Sequence, residues 1–248
     1  MSGLIGPGFI GYLGGTVPFV RRDPYFASTV LLAGFNGVDA ATTTSDESEA
    51  AHGAAAQFGG TAQLDTAEKK FGSASLLLDG NSDFVDWADH ADWAPGEDEA
   101  YTWEAFVHPT ASAAAMRIMG QYNTTGNQRS WLIDRDANDF LQFTYSLNGT
   151  SFATIQGAIE IAQDEWTHVA VTRTAAGAIR LFVGGVLEAD SDVGVTGAFH
   201  DSTDPLRIGV QTGGTAWWPG WLDEIRLTKG VARYTATFAP PVAAFARS

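Results

Sequence analysis

From Ser28 to Thr228 the sequence is a succession of short apolar segments broken by turn residues, and this rhythm limits the fold most. About fourteen such segments can be marked, among them "STVLLAGF", "YTWEAFVHP", "THVAVTR", "AIRLFVGG" and "GWLDEIRLT". In "YTWEAFVH" the residues Tyr101, Trp103, Ala105 and Val107 share one face, while Thr102, Glu104, Phe106 and His108 share the other. Asn148-Gly149 and Gly184-Gly185 stand between strand-like segments as two-residue hairpin turns. No segment keeps a helical period beyond one turn. The expectation is all-β: two antiparallel sheets packed as a sandwich, in a single domain over 28–248.

A 248-residue chain with 45% hydrophobic and 12% aromatic residues can build a full core. Its net charge of −15 argues against nucleic acid and against anionic membranes, which both require clustered Lys and Arg. There is no cysteine, so disulfides, thiol catalysis and zinc–thiolate sites are excluded.

Residues 1–27 differ from the rest. Six glycines and three prolines interrupt Leu4, Ile5, Phe9, Ile10, Tyr12 and Phe19. The basic pair Arg21-Arg22 follows the apolar part rather than preceding it, so neither a signal peptide nor a membrane helix is expected. The segment reads as an extended anchoring arm. Phe9, Tyr12 and Phe19 are its contact residues, and Arg21 and Arg22 its candidates for pairing with a partner's carboxylates.

The turn Asp79-Gly80-Asn81-Ser82-Asp83 admits three readings: a calcium site, a carboxylate pair, or the polar tip between two strands. Between Phe71 and Met116 there are nine acidic residues and no Lys or Arg, which makes Asp79, Asn81 and Asp83 candidate calcium ligands. The five histidines show no metal-ligand spacing, and no G-x-S-x-G elbow is present. Trp217-Trp218-Pro219-Gly220-Trp221 offers indole faces for packing on sugar rings.

Five phrases in order, "KKFGSASLLLDGNSDFVDW", "YTWEAFVHP", "DEWTHVAVTRTAAGAIRLFVGGV", "PLRIGV" and "GWLDEIRLTKGVARYTATFAPP", resemble the laminin-G-like, concanavalin-A-like jelly-roll superfamily. "DPYFASTVLL" and "TKGVARYTATFAPP" look like the branch found in tailed-phage structural proteins. The resemblance implies two curved antiparallel sheets that bind glycans or proteins, often with a calcium ion. It makes Asp223 a fourth candidate ligand, assigns Trp218 to the core and leaves Trp217 as the candidate glycan platform. Hydrolases of this fold place carboxylates at alternate positions of one strand. Here Glu104 is single, and Asp223 and Glu224 are adjacent, which puts them on opposite faces.

The expected function is therefore a non-enzymatic phage virion protein, as capsid decoration, head fibre or tail component. Its lectin-like domain would serve decoration or host-glycan adhesion, in repeated or homo-oligomeric copies held to other virion proteins by the arm. The alternative is a carbohydrate-binding module of a cell-surface or secreted protein.

Overall fold

The computed structural model describes residues 22–53, 57–188 and 191–248. One set of strands forms the back sheet: β1 (Thr29–Ala33), β3 (Gln63–Asp65), β4 (Ser75–Asp79), β6 (Tyr101–Pro109), β11 (Thr167–Arg173), β12 (Ala178–Val183), β13 (Val186–Leu187), β14 (Val193–Gly194) and β16 (Pro219–Lys229). The front sheet contains β2 (Gln57–Gly59), β5 (Phe84–Trp87), β7 (Met116–Asn123), β8 (Gln128–Arg135), β9 (Phe140–Gly149), β10 (Ala153–Glu160) and β15 (Leu206–Ile208). A single 3-10 turn at Phe26–Ser28 is the helical content of the described residues.

The back sheet runs β13-β12-β11-β6-β16-β4-β3, with β1 also on β16 and β14 on β12. The front sheet runs β10-β9-β8-β7-β15-β5-β2. All named pairs are antiparallel, and the crossovers between the sheets make a jelly roll, as expected. The first and last strands lie side by side, with Leu32 opposite Arg226 and Ala33 opposite Ile225.

The two inner faces meet in one core that includes Trp87, Trp93, Trp103, Trp131 and Trp218. Tyr101, Trp103, Ala105 and Val107 point into it, as their alternation requires. The other side of β6 is also covered. Phe106 and Leu32 pack with Phe245, and Phe26, Phe71 and Trp166 flank them in a second apolar layer over the back sheet. β6 is therefore buried along nearly its whole length. Gly220 is fixed by the same crowding, because its φ is +123° and a Cβ there would collide with the His108 carbonyl.

Two sequence expectations change. The Asn148-Gly149 hairpin exists, but it is not a two-residue turn: Tyr145 pairs with Ala153 and residues 146–152 form the loop. Asn148 Oδ1 accepts the Thr150 and Ser151 amides, and Ser146 Oγ accepts the Gly149 amide, so side chains supply the bonds that a tight turn would make.

Asp223 and Glu224 do not point to opposite faces. The register slips between Asp223 and Arg226, and Glu224 takes φ 47°. This bulge leaves Leu222 and Ile225 in the core and turns both carboxylates to the back, Asp223 toward Phe71 and Glu224 toward Phe245.

Residues ahead of β1 are tied to the end of the chain. The Asp23 amide donates to the Ser248 carbonyl, and its carboxylate binds Arg226 and Arg233.

Candidate functional site

The two outer faces differ. The back face carries Asp23, Ser248 and a buried charge network. Glu104 has no exposed surface, and Arg226 Nη2 lies 2.7 Å from its Oε1. Its Oε2 accepts the Tyr234 hydroxyl at 2.8 Å and lies 3.1 Å from His168 Nε2. Burial would raise the Glu104 carboxyl, but Arg226, His168 and Arg233 outweigh it and hold it down to about 2. His168 is thus a buried member of this network.

The front sheet leaves a groove of about 240 Å³ on its outer face, lined by Arg117, Tyr122, Arg129, Gln142, Phe152 and Gln211 among others. Strand alternation explains it. Leu141, Phe143 and Tyr145 of β9 turn to the core side, while Gln142 and Thr144 line the groove. Trp131 and Ile133 of β8 turn inward, leaving Leu132 to the outside.

Arg117 spans the groove floor. Its Nη1 donates to Asp134 Oδ2 at 2.5 Å and its Nε to Gln211 Oε1 at 3.2 Å. Arg129 donates to the Thr150 carbonyl at 2.8 Å and stands 6.0 Å from the centre of the Phe152 ring. Phe152 is 60% exposed, and Leu147 beside it is 47% exposed. Burial pushes the Asp134 carboxyl up to about 7 against the opposing pull of Arg117, with Asp136 adding to the rise. Its Oδ1 has no partner within the protein. A surface of planar hydrogen-bonding groups edged by an exposed aromatic can take a ligand with many hydroxyls and apolar C–H faces.

The proposed calcium ligands are not brought together. Asp83 turns inward and accepts the Thr61 amide at 2.5 Å and the Asp79 amide at 2.9 Å. Asp79 Oδ1 accepts the amides of Asn81 and Ser82, and Asn81 is exposed. Asp223 gives both oxygens to the amides of Lys70, Phe71 and Glu224. Pro219 stands opposite Asp79, so Asp223 lies roughly 13 Å further along β16 at about 3.3 Å per residue. These residues do not fit one calcium ion, and they serve as turn and bulge acceptors. Millimolar calcium is expected to leave the thermal midpoint unchanged in scanning calorimetry. A rise abolished by Asp79→Ala would restore the metal reading.

Trp218 is fully buried in the core, as the resemblance implied. Trp217 is half-buried, and the neighbouring Ala216 carbonyl accepts the Arg117 amide. The Trp217 loop thus joins the front sheet beside Arg117. Of the arm residues, Arg22 is exposed and lines a back-face cavity with Tyr25 and Arg233, while Phe9, Tyr12, Phe19 and Arg21 lie outside the described residues.

Sequence reasoning missed the groove. Its residues come from four strands and three loops, and no local motif joins them.

The laminin-G-like family described as the concanavalin A-like lectin/glucanases superfamily matches residues 79–233. The chain belongs to that family. No curated protein matches it in sequence. Among solved structures, the binding domain of Paraclostridial Mosquitocidal Protein 1 superposes with a TM-score of 0.63 at 12% identity, over 85% of this chain and 50% of the other. The ligand-binding domain of botulinum neurotoxin serotype D, solved with N-acetylneuraminic acid, gives 0.62 at 11% identity, over 86% and 49%. The binding domain of botulinum neurotoxin serotype G gives 0.60 at 11%, over 84% and 49%. The chain spans about half the length of these domains, and at such identities the likeness is one of fold.

Proposed function

We propose that this laminin-G-like domain is a non-catalytic adhesion module that binds a neutral oligosaccharide on the outer face of its front sheet. The observation that carries this reading is the groove around Arg117. There Arg117, Arg129, Gln142 and Gln211 offer polar atoms at several heights of an open sheet, beside the exposed ring of Phe152. Vicinal hydroxyls suit such planar groups, and a pyranose C–H face suits the ring. A net charge of −15 disfavours sialylated or sulfated glycans.

On this reading the domain is displayed by a larger assembly, a tailed-phage particle, through the segment preceding Asp23. Two features support display. Arg226 and Arg233 hold Asp23 on the back sheet, so Asp23 lies on the face opposite the groove. The phrases that resemble phage structural proteins, "DPYFASTVLL" and "TKGVARYTATFAPP", include Asp23 and Arg233 of this clamp. Removing residues 1–21 while keeping Asp23 should leave a folded domain that no longer joins the particle. Full occupancy by the truncated chain would refute anchoring by that segment.

The glycan test is a screen of neutral bacterial and plant oligosaccharides, followed by titration calorimetry. Arg117→Ala and Phe152→Ala are each expected to weaken binding at least tenfold. Phe152→Ala should do so without changing the melting temperature, since its ring is exposed. Binding that survives both substitutions would move the site away from this face.

A further inference from the structure

We propose that His52, His90 and Asp92 form a binding site for a divalent transition ion of the zinc class. His90 and Asp92 come from one turn, and His52 reaches them from a separate loop. Their ligand atoms, one from each side chain, lie within 4.8 Å of one another. His52 Nε2 stands 2.9 Å from Asp92 Oδ2, and His90 Nδ1 stands 3.3 Å from the same oxygen. Zinc bonds of about 2.0–2.1 Å in a tetrahedron separate neighbouring ligand atoms by roughly 3.3 Å, close to these spacings.

The second observation concerns His52 itself. Its Nε2 is buried and makes no hydrogen bond, although a carboxylate oxygen is in reach. A nitrogen at that distance without N–H alignment is poorly served by a simple ion pair, and a shared metal would satisfy both groups. The two imidazole rings are 4.0 Å apart and lean on buried Trp93, with His52 edge-on at 4.8 Å. Each loop is held from behind. The Asp46 carboxylate accepts the His52 amide, and the Tyr101 hydroxyl donates to the Asp92 carbonyl.

Two imidazoles and one carboxylate suit zinc, cobalt or nickel far better than calcium, which takes oxygen ligands. Two local contacts oppose the ion. Lys229 Nζ binds Asp92 Oδ1 at 3.2 Å, and the Asp92 amide donates to His90 Nδ1 at 3.1 Å. The first leaves Oδ2 free for monodentate ligation, while the second must yield, and its amide is exposed enough to bond water instead. The His90 side chain is 48% exposed, which leaves a fourth position for water. The bound ion would clasp the 46–53 loop to the turn before Trp93.

The test uses the full chain without a histidine tag, stripped by chelator and titrated with zinc chloride. One equivalent should bind and raise the melting temperature, and cobalt added to the stripped protein should give the visible absorption bands of a low-coordinate site, which zinc then abolishes. His90→Asn, at the half-exposed position, should weaken zinc at least tenfold with an unchanged circular dichroism spectrum, and Asp92→Asn should do likewise. No zinc retained at micromolar concentration, or equal zinc retained by both variants, would overturn the proposal.

Discussion

Glu104→Ala is expected to destabilise the domain by about 3–5 kcal/mol, the largest effect of a single substitution on the back sheet. The carboxylate has no exposed surface and neutralises Arg226, which is itself held against Phe245 with its guanidinium 3.7 Å from the ring centre. Removing it takes away one of the two carboxylates that pair Arg226 and leaves the Tyr234 hydroxyl and His168 without their acceptor. For a chain of this size the melting temperature should fall by about 6–20 °C. Glu104→Gln should cost less, since it keeps the shape and one acceptor oxygen. Asp23 remains to pair Arg226 and Arg233 in either variant. Urea unfolding would measure the loss, and a change below about 1 kcal/mol would mean that the network contributes little net stability.

Stability is expected to peak near pH 4–5 and to fall as pH rises toward 8. Asp134 and Asp223 are both pushed up to about 7, chiefly by burial. Between about pH 4 and 7 the folded chain therefore holds protons that the unfolded chain has released. Stability drops across that window, on the order of 4 kcal/mol for each carboxyl. Glu104, held at about 2, acts in the other direction. Its contribution is full above about 4.5 and disappears as pH falls through 2, and the lowered Asp23 carboxyl adds to that acid-side loss. Thermal unfolding at dilute concentration across this range would trace the curve. Asp134→Asn should remove about half of the decline. A flat profile from pH 5 to 8 would show that these two carboxyls ionise normally in the folded chain.

The sandwich was legible in the sequence because alternation at period two is a local property of each strand. Trp103 and Ala105 face the core wherever β6 finds its partners, and "STVLLAGF" and "GWLDEIRLT" carry enough family signature to pair as β1 and β16. Trp218 was placed in the core by the family resemblance rather than by alternation, and it is fully buried there. What failed was every inference that treated side-chain direction or convergence as local. Adjacent Asp223 and Glu224 share a face because a bulge inserts a residue, and nothing in "WLDEIRL" announces a positive φ at Glu224. Asp79 and Asp83 have the composition of a cation site, yet their oxygens go to nearby amides, which a turn supplies at close range. Glu104 looked solitary on its strand, and its partners arrive from β11, β16 and the C-terminal segment. The groove around Arg117 and the cluster of His52, His90 and Asp92 have the same origin. Each depends on a segment brought in from elsewhere along the chain: Gln211 reaches the groove after β15 enters the front sheet beside β7, and His52 meets His90 and Asp92 from a separate loop. The sequence by itself determined which residues alternate and therefore which can be buried; tertiary structure alone decided which polar groups meet, because hydrogen bonds and ligand geometry depend on distances across strands.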